Sequence, residues 1–395
     1  MSKKLLLLGG GHAEIPLIQA AQKLGYFVIT TGNAREGLGH PYADKNVFED
    51  FSDLKKMLAL AEAEGVDRVC SGCNDFALLS TAYVCEKLGL PGHDSYETSV
   101  QIHHKDKYRA LATRLKIPTP KAIAVHNAEE FEAAIQEIPF PNIIKPVELT
   151  GGKGIHRAEN ALEARAAYAE ALKRTREDRV VVEEFVVGTN HGFSAYLQNQ
   201  KVVFYFADNE QYYLNKYMVS GANTPTTTSS HAQKLLCEYS ERIAKALNLV
   251  DGILHIQYIE KADGTPVIIE ICRRAPGDLY IKFVQYATGV DYPKMIVQGE
   301  TGEFSSEILP PLGTLPKPFL RHCIMAKEKG VVQGVSFAPE IQKNIVEKFL
   351  WLKKGELVED PLYYKAGIVF MQFSSAEELY AQTSKMTELI QIDVY

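Results

Sequence analysis

The first 95 residues alternate short apolar runs with helical patterns, and this order restricts them to a parallel α/β arrangement. Residues 5–8 are four leucines, residues 9–11 are three glycines, and apolar residues between 15 and 24 then recur on one helical face. Strand and helix patterns alternate again at 28–31, 54–63, 68–70 and 76–88. Because parallel strands need crossover connections, the sequence predicts a Rossmann-like unit here.

The glycine turn after the first strand is expected to be structural. The run Gly9-Gly10-Gly11-His12-Ala13-Glu14 carries Glu where the dinucleotide fingerprint has its third glycine. The packing of the following helix on the strand then differs from that of the fingerprint. A plain turn is therefore favoured over an NAD site.

A boundary is predicted at Pro118-Thr119-Pro120, which follows a helix at about 105–115. Two helical patterns at 129–137 and 159–174, with short strands around them, indicate a small α+β unit after it. From about 190 the pattern becomes antiparallel, with strands at 193–197 and 202–207 joined by a hairpin turn at Asn199-Gln200, another hairpin across Ala262-Asp263-Gly264, and a last helix near 376–386. Ser229 or Ser230 is the expected N-cap of the helix that lies between these hairpins.

The segment Ile143-Ile144-Lys145-Pro146, followed by Thr150-Gly151-Gly152-Lys153-Gly154, has the chemistry of a phosphate cradle. A lysine at the end of a strand can reach a phosphate, and glycines let backbone N–H groups approach phosphate oxygens. The Gly-Lys-Ser/Thr ending of a Walker loop is absent. A purely structural glycine loop is about equally compatible with this segment alone.

Two further elements follow in order. The strand Val182-Glu183-Glu184-Phe185-Val186 could bind an adenine amino group and cover its ring, although acidic pairs after a strand are usually solvated. Gln257 and Glu270 lie on the two strands of a predicted hairpin, where their oxygens could hold Mg²⁺. Arg274, just beyond them, could meet a phosphoryl group or a carboxylate. Each residue alone could equally be a surface group of a hairpin.

Taken together and in this order, over roughly residues 1–300, these motifs resemble the ATP-grasp superfamily. The resemblance implies an α/β and α+β multidomain architecture: a Rossmann-like domain at 1–117, a mobile lid at 118–189, an antiparallel core at 190–300, and an α+β part at 301–395 that completes the core. It implies ATP as the nucleotide, with Mg²⁺ or Mn²⁺. The residues that it assigns to ATP are Lys105, Lys145, Thr150, Gly151, Gly152, Lys153, Gly154, Glu183, Glu184, Phe185, Val186 and Asn190.

The resemblance also implies catalytic roles for Arg274 and Lys153 and metal binding by Gln257 and Glu270. Lys107 is an alternative to Lys105, because both lie in Lys-Asp-Lys-Tyr-Arg. The chain departs from the commonest family pattern at three positions. Asn190 stands where many members have a ribose-binding Glu, Gln257 stands where many have a metal-binding Glu, and Cys272 stands where Asn often completes the metal site. His255 is expected to face away from the cleft of Glu270.

Composition excludes some classes of function. The net charge is −6 with no long basic run, so nucleic acid is not an expected partner. No apolar run approaches the ~18 residues of a membrane span, and the short Leu5–Leu8 run fits a buried strand better than a signal peptide. Only Cys70 and Cys73 of the six cysteines have a metal-like spacing, without a second pair, which favours reduced thiols in the cytoplasm.

The function implied by the resemblance is an ATP-dependent ligase. It would activate a small-molecule carboxylate, for example an amino acid, as an acyl phosphate and transfer the acyl group to an amine. A bicarbonate-dependent carboxylase of the biotin carboxylase type is an alternative, and a non-catalytic ATP-binding sensor is another. Dimers are common among relatives, so the resemblance also implies a homodimer.

Overall fold

A parallel sheet of four strands, in the order β3-β2-β1-β4, opens the computed structural model, which describes residues 2–304 and 309–395. Its strands are β1 (Lys4–Leu8), β2 (Phe27–Thr31), β3 (Lys45–Val47) and β4 (Arg68–Cys70). Helices α1 (Ile15–Lys23), α2 (Leu54–Glu64), α3 (Asp75–Leu88), α4 (Tyr96–His103) and α5 (Lys105–Arg114) accompany them. The predicted Rossmann-like unit is confirmed.

The glycine turn after β1 is filled from within the protein. The carboxylate of Glu14 accepts the backbone N–H of Gly11 at 2.8 Å and that of Cys73 at 3.0 Å. A Cβ atom at Gly10 would lie 2.0 Å from the ring of His40. The N–H group of Gly11 is therefore hydrogen-bonded to Glu14 within the protein, as expected for a structural turn.

The second sheet has the strand order β5-β8-β6-β7 and carries two helices. The antiparallel pairs β5–β8, β8–β6 and β6–β7 bury one face of the sheet against Phe131 and Tyr168, whose rings stack at 4.3 Å. Its elements are β5 (Ala122–Val125), α6 (Ala128–Glu137), β6 (Asn142–Pro146), β7 (His156–Ala158), α7 (Ala161–Arg174) and β8 (Val180–Glu184). We call this unit the lid.

An eight-stranded antiparallel sheet, in the order β13-β12-β9-β10-β11-β14-β18-β16, forms the centre of the protein. Asn199 and Gln200 have φ of 49° and 62°, as a two-residue hairpin turn requires, and the Ser229 side chain caps α8. Both were predicted. The elements of this region are β9 (Thr189–Gln198), β10 (Lys201–Tyr212), β11 (Val219–Thr224), α8 (Ser230–Leu247), β12 (Gly252–Glu260), β13 (Pro266–Cys272), α9 (Tyr280–Thr288) and α10 (Tyr292–Glu300).

Strands from the last 90 residues complete the same sheet. β14, β18 and β16 extend it, while β17, β15 and β19 form a separate three-stranded sheet. The predicted helix near 376–386 is two short helices. The elements are β14 (Phe319–Met325), β15 (Gly330–Phe337), β16 (Ile345–Leu350), β17 (Leu357–Val358), β18 (Lys365–Gln372), α11 (Ala376–Thr383), α12 (Met386–Leu389) and β19 (Ile390–Val394).

A buried ion pair joins the N-terminal unit to the central sheet. The guanidinium of Arg273 lies 2.8 Å from Asp94 and donates to the carbonyl oxygens of Ile253 and Val250 at 2.5 and 2.6 Å. Both charged side chains are about 95% buried. Since an unpaired buried charge is costly, this contact holds the two units in one relative position.

Among the described residues, no helix combines the length and apolarity needed to cross a membrane.

Replacing Asp94 by alanine should lower the free energy of unfolding by about 3–5 kcal/mol, because Arg273 would stay buried without its counter-charge. Thermal unfolding followed by circular dichroism measures this change. Glu241→Ala is the control, since the surface pair of Glu241 with Lys201 is solvated. Equal melting temperatures for the two variants would contradict the proposed role of Asp94.

Candidate active site

A cavity of about 970 Å³ opens between the lid and the central sheet. Thirteen of the fifteen residues assigned from the sequence line it, and only Lys105 and Gly154 do not. The assigned residues that line the cavity come from positions 145 to 274, so the fold brings distant segments to one place. The convergence on which the sequence interpretation depended is therefore present.

The glycine loop between β6 and β7 forms the roof of this cavity. Gly151, Gly152 and Gly154 have φ between 67° and 75°, a region that disfavours side chains. A Cβ atom at Gly152 would lie 2.7 Å from the carbonyl oxygen of Tyr217. The loop is thus packed directly on the connection between β10 and β11, with Lys153 exposed at the rim.

Lys145 ends β6 inside a buried charge cluster. Its Nζ atom lies 2.6 Å from Glu183 Oε2, and Arg109 Nη2 lies 3.0 Å from Glu183 Oε1. Burial lowers the pKa of Lys145 to about 8, although Glu183 opposes the shift. Two cations share one carboxylate here, so the cluster has a surplus positive charge for an anion.

This pairing corrects the expectation that the Glu183 carboxylate contacts adenine. Glu183 is 2% exposed and its oxygens face Lys145 and Arg109. Phe185 and Val186, which follow β8, are half-buried on the cavity wall. The backbone of this segment is available to bind a flat ring. Glu184 and Asn190 are exposed at the mouth of the cavity.

Lys105 and Lys107 differ in burial. Lys107 is exposed, whereas Lys105 is 3% exposed and points inward. Its Nζ donates to the carbonyl oxygen of Leu149 at 2.6 Å and lies 3.7 Å from Glu270 Oε1. Lys105 therefore lies behind the cavity wall, between the glycine loop and Glu270.

Gln257 and Glu270 are direct neighbours on the floor, as register partners of β12 and β13. The Gln257 Nε2 atom donates to Glu210 at 2.7 Å, which leaves the amide oxygen free to bind a cation. No group of three or more His, Cys, Asp or Glu side chains in the described residues has a geometry that could hold a metal. The two side chains fit a Mg²⁺ ion that takes its other ligands from phosphates and water.

Cys272 takes no part in such a site. Its side chain is buried, its sulfur lies 3.8 Å from the carbonyl oxygen of Arg274, and burial raises its pKa to about 12. A neutral thiol is a poor partner for Mg²⁺, which prefers oxygen. The position that Asn often fills in the superfamily pattern is therefore without a metal ligand in this chain.

The expectation for His255 was wrong. His255 pairs with Cys272 and Gln257 pairs with Glu270, so His255 and Gln257 are two residues apart and share a strand face. His255 lines the cavity, its Nδ1 lies 2.7 Å from Ser194 Oγ, and burial lowers its pKa to about 3. It is a neutral polar group of the floor.

Arg274 is held in place by Asp75 of the N-terminal unit, with Nη2 at 2.5 Å from Asp75 Oδ2. Its Nε atom is buried without a hydrogen-bond partner and its side chain lines the cavity. A buried guanidinium with a free donor fits an anionic group of a substrate. The neighbouring Arg273 points into the protein, so the two arginines have separate roles.

Several charged residues of the cavity were not assigned from the sequence, among them Asp208, Glu210 and Arg321. Asp208 and Glu210 lie on β10, which was predicted to end at Ala207 and so excluded them. Their two-residue spacing, continued by Tyr212, is the strand signal that could have found them. Arg321, on β14, is 3% exposed and lines the far wall.

Comparisons with known proteins agree with this geometry. Residues 104–276 match the family model of the ATP-grasp (A) domain of phosphoribosylglycinamide synthetase. The C-terminal section of the carbamoyl phosphate synthase large chain from Methanopyrus kandleri is 24% identical over 338 residues, which are 80% of this chain and 61% of that protein. The chain thus spans about three fifths of this relative.

Two solved structures share the fold over the whole chain. The L-amino acid ligase from Bacillus licheniformis superimposes with a TM-score of 0.83 at 18% identity, covering 100% of this chain and 99% of that one. Phosphoribosylglycinamide synthetase from Anaerococcus prevotii superimposes with a TM-score of 0.76 at 22% identity, covering 100% of both chains. Residues 104–276 therefore form an ATP-grasp domain, and the whole chain shares the fold of these two enzymes.

Proposed function

We propose that this protein is an ATP-dependent carboxylate–amine ligase that forms an amide through an acyl phosphate. The proposal is supported by one observation: the lysine and glycine cradle, the Gln257/Glu270 pair and Arg274, whose Nε atom has no hydrogen-bond partner, line one cavity. ATP-grasp enzymes use ATP with Mg²⁺. The cationic side chains and the glycine loop fit the phosphates of ATP, and the side-chain oxygens of Gln257 and Glu270 fit Mg²⁺.

The first step joins a substrate carboxylate to the terminal phosphate of ATP. A carboxylate oxygen attacks the γ-phosphorus in line, the bond to the β,γ-bridging oxygen breaks, and ADP leaves. Lys145, Lys153 and Arg274 position the phosphates and the carboxylate and spread the developing charge. Mg²⁺ held by Gln257 and Glu270 would neutralise phosphate charge during this step.

The second step transfers the acyl group. The amine nitrogen attacks the acyl carbon, and the carbon–oxygen bond to phosphate breaks to give the amide and inorganic phosphate. Tyr212 and Arg321 also line the cavity and are available to the acid and the amine.

The proposal also covers the metal ion, the cellular compartment, the oligomeric state and the domain limits. Mn²⁺ could replace Mg²⁺, since both accept oxygen ligands. All six cysteines are unpaired, which supports a reducing compartment such as the cytoplasm. A homodimer and domain limits at 117, 189 and 300 are proposed from the superfamily resemblance. Analytical ultracentrifugation and limited proteolysis test these two points.

The assay for the function is ADP release across a panel of acids and amines. The acids are the twenty common L-amino acids, short mono- and dicarboxylic acids and bicarbonate; the amines are ammonia, methylamine and the same amino acids. We expect ADP release that requires an acid, with an amide in the products. ADP release with bicarbonate alone would favour a carboxylase, and nucleotide binding without turnover for any acid would favour a sensor.

Glu270→Ala should abolish ATP turnover with the fold intact, because the metal would lose its one charged side-chain ligand on the floor. Glu270→Gln, which keeps an oxygen donor, should retain more activity than the alanine variant. ADP formation at the wild-type rate in Glu270→Ala would remove the metal-site assignment.

Lys145→Ala should weaken ATP binding roughly 10-fold or more, because a charge-assisted contact to a phosphate is lost. Glu183 keeps Arg109 as its partner, so the variant should fold. Isothermal titration calorimetry measures the affinity, and Lys107→Ala, an exposed lysine, is the control. Equal affinities for the two variants would contradict the role of Lys145.

A further inference from the structure

The polar floor continues beyond the Gln257/Glu270 pair across the sheet. Glu270 pairs with Gln257, Gln257 pairs with Gly192, and Gly192 pairs with Asp208. These four residues form one row over the strands β13, β12, β9 and β10. Gly192 has no side chain, so nothing in this row stands between Asp208 and the expected metal position.

The space at Gly192 is used by Asp208. A Cβ atom at Gly192 would lie 2.8 Å from Asp208 Oδ2. Tyr280 donates its hydroxyl to the same oxygen at 2.5 Å. The other oxygen, Oδ1, has no partner although Asp208 is 0% exposed and lines the cavity. Burying a carboxylate oxygen without a donor is unfavourable, so this atom is a vacant acceptor in the buried wall of the cavity.

A second carboxylate lies beside it on the same strand face. Glu210 accepts hydrogen bonds from Gln257 at 2.7 Å and Tyr212 at 2.6 Å. The positive charge of Arg321 lowers the pKa of Asp208. This effect is smaller than the opposite effects of burial and of the Glu210 carboxylate. Burial, with Glu210 adding to it, raises the pKa of Asp208 to about 7. The pair would be stabilised by a further cation that carries protons.

A divalent metal is the competing occupant of this position. Three of the four carboxylate oxygens of Asp208 and Glu210 already accept hydrogen bonds, from Tyr280, Gln257 and Tyr212, which leaves Asp208 Oδ1 as the one oxygen of the pair without a donor. An ammonium group fits better, because it donates hydrogen bonds to single carboxylate oxygens and needs no closed set of ligands.

We propose that Asp208 and Glu210 form the ammonium-binding subsite for the amine substrate, and that Asp208 removes the proton that frees the amine for attack. This inference rests on the ligase function proposed above. Glu210 holds the cation by its negative charge, and Asp208 Oδ1 accepts its proton. This subsite would select a primary amine that arrives in its charged form, as aliphatic amines do at neutral pH.

Protons, bonds and electron pairs are conserved in this transfer step. The ammonium gives one proton to Asp208, the neutral nitrogen forms its bond to the acyl carbon, and the carbon–oxygen bond to phosphate breaks with its electron pair on phosphate. The second nitrogen proton leaves with the departing phosphate. Asp208 then returns its proton to solvent for the next turnover.

Hydroxylamine distinguishes this role from a general loss of activity. It is weakly basic and largely uncharged at neutral pH, so it can attack the acyl phosphate without an ammonium subsite or a base. With the acid that gives the most ADP in the wild type, Asp208→Asn should form hydroxamate at near the wild-type rate. Amide formation with methylamine or the amino acids should fall by about 100-fold or more, the usual contribution of a general base.

Glu210→Gln should mainly raise KM for the amine, since it removes charge but leaves an acceptor for Gln257. Glu241→Gln is the matched control: it makes the same kind of substitution on α8, away from the cavity, and should change neither product.

Each other outcome contradicts the proposal. Equal loss of hydroxamate and amide in Asp208→Asn would indicate a metal or structural role. Unchanged amide formation would remove Asp208 from the transfer step while leaving the ligase function intact. A wild-type protein that forms hydroxamate but no amide with any of these amines would exclude an ammonium subsite. ADP release with no acid at all would refute the ligase function itself, and with it this inference.

Discussion

The antiparallel register of the central sheet is the constraint on which the candidate site depends. Gln257 and Glu270 meet only because β12 and β13 pair at those residues, and a shift of one residue between the strands would place the two side chains on opposite faces of the sheet. The same register brings Gly192 and Asp208 into line with them. The chemistry of the floor is thus a consequence of backbone hydrogen bonding far more than of local sequence.

Charge is distributed unequally over the cavity. The lid side is cationic, with Lys145 and Arg109 sharing Glu183, and the far part of the floor is anionic, with Asp208 beside Glu210. Arg274 lies between these regions, anchored by Asp75. A triphosphate matches the first region and an ammonium group the second. This arrangement orders two substrates along one cavity without a separate pocket for each.

Local patterns predicted most of the fold. The parallel strands, the Asn199-Gln200 hairpin and the Ser229 cap each depend on neighbours in sequence, and they were found. The hairpin that carries Gln257 and Glu270 was also found, but the β-bulge between Gln257 and Tyr258 that makes these two residues register partners was not. Side-chain partners that come from other units could not be read in this way. Glu183 was assigned to adenine because its pairing with Arg109 depends on how α5 packs on the lid.

Two errors have a simple physical origin. Ending β10 at Ala207 removed the two carboxylates that follow it, and strand ends are the least certain part of a periodic pattern. His255 was placed on the wrong face even though it is two residues from Gln257. Applying the two-residue period strictly from a metal-ligand candidate would have corrected it.

The contact of Arg273 with Asp94 has a consequence for how ligands reach the cavity. It fixes the N-terminal unit on the central sheet one residue away from Arg274, so these two walls cannot separate without exposing an unpaired buried charge. The lid is also tied to α5 of the N-terminal unit, by the buried pair of Glu183 with Arg109, and its glycine loop meets the connection between β10 and β11 at Tyr217. An opening that admits a nucleotide would therefore occur elsewhere than between the N-terminal unit and the central sheet, and Arg274 would keep its place.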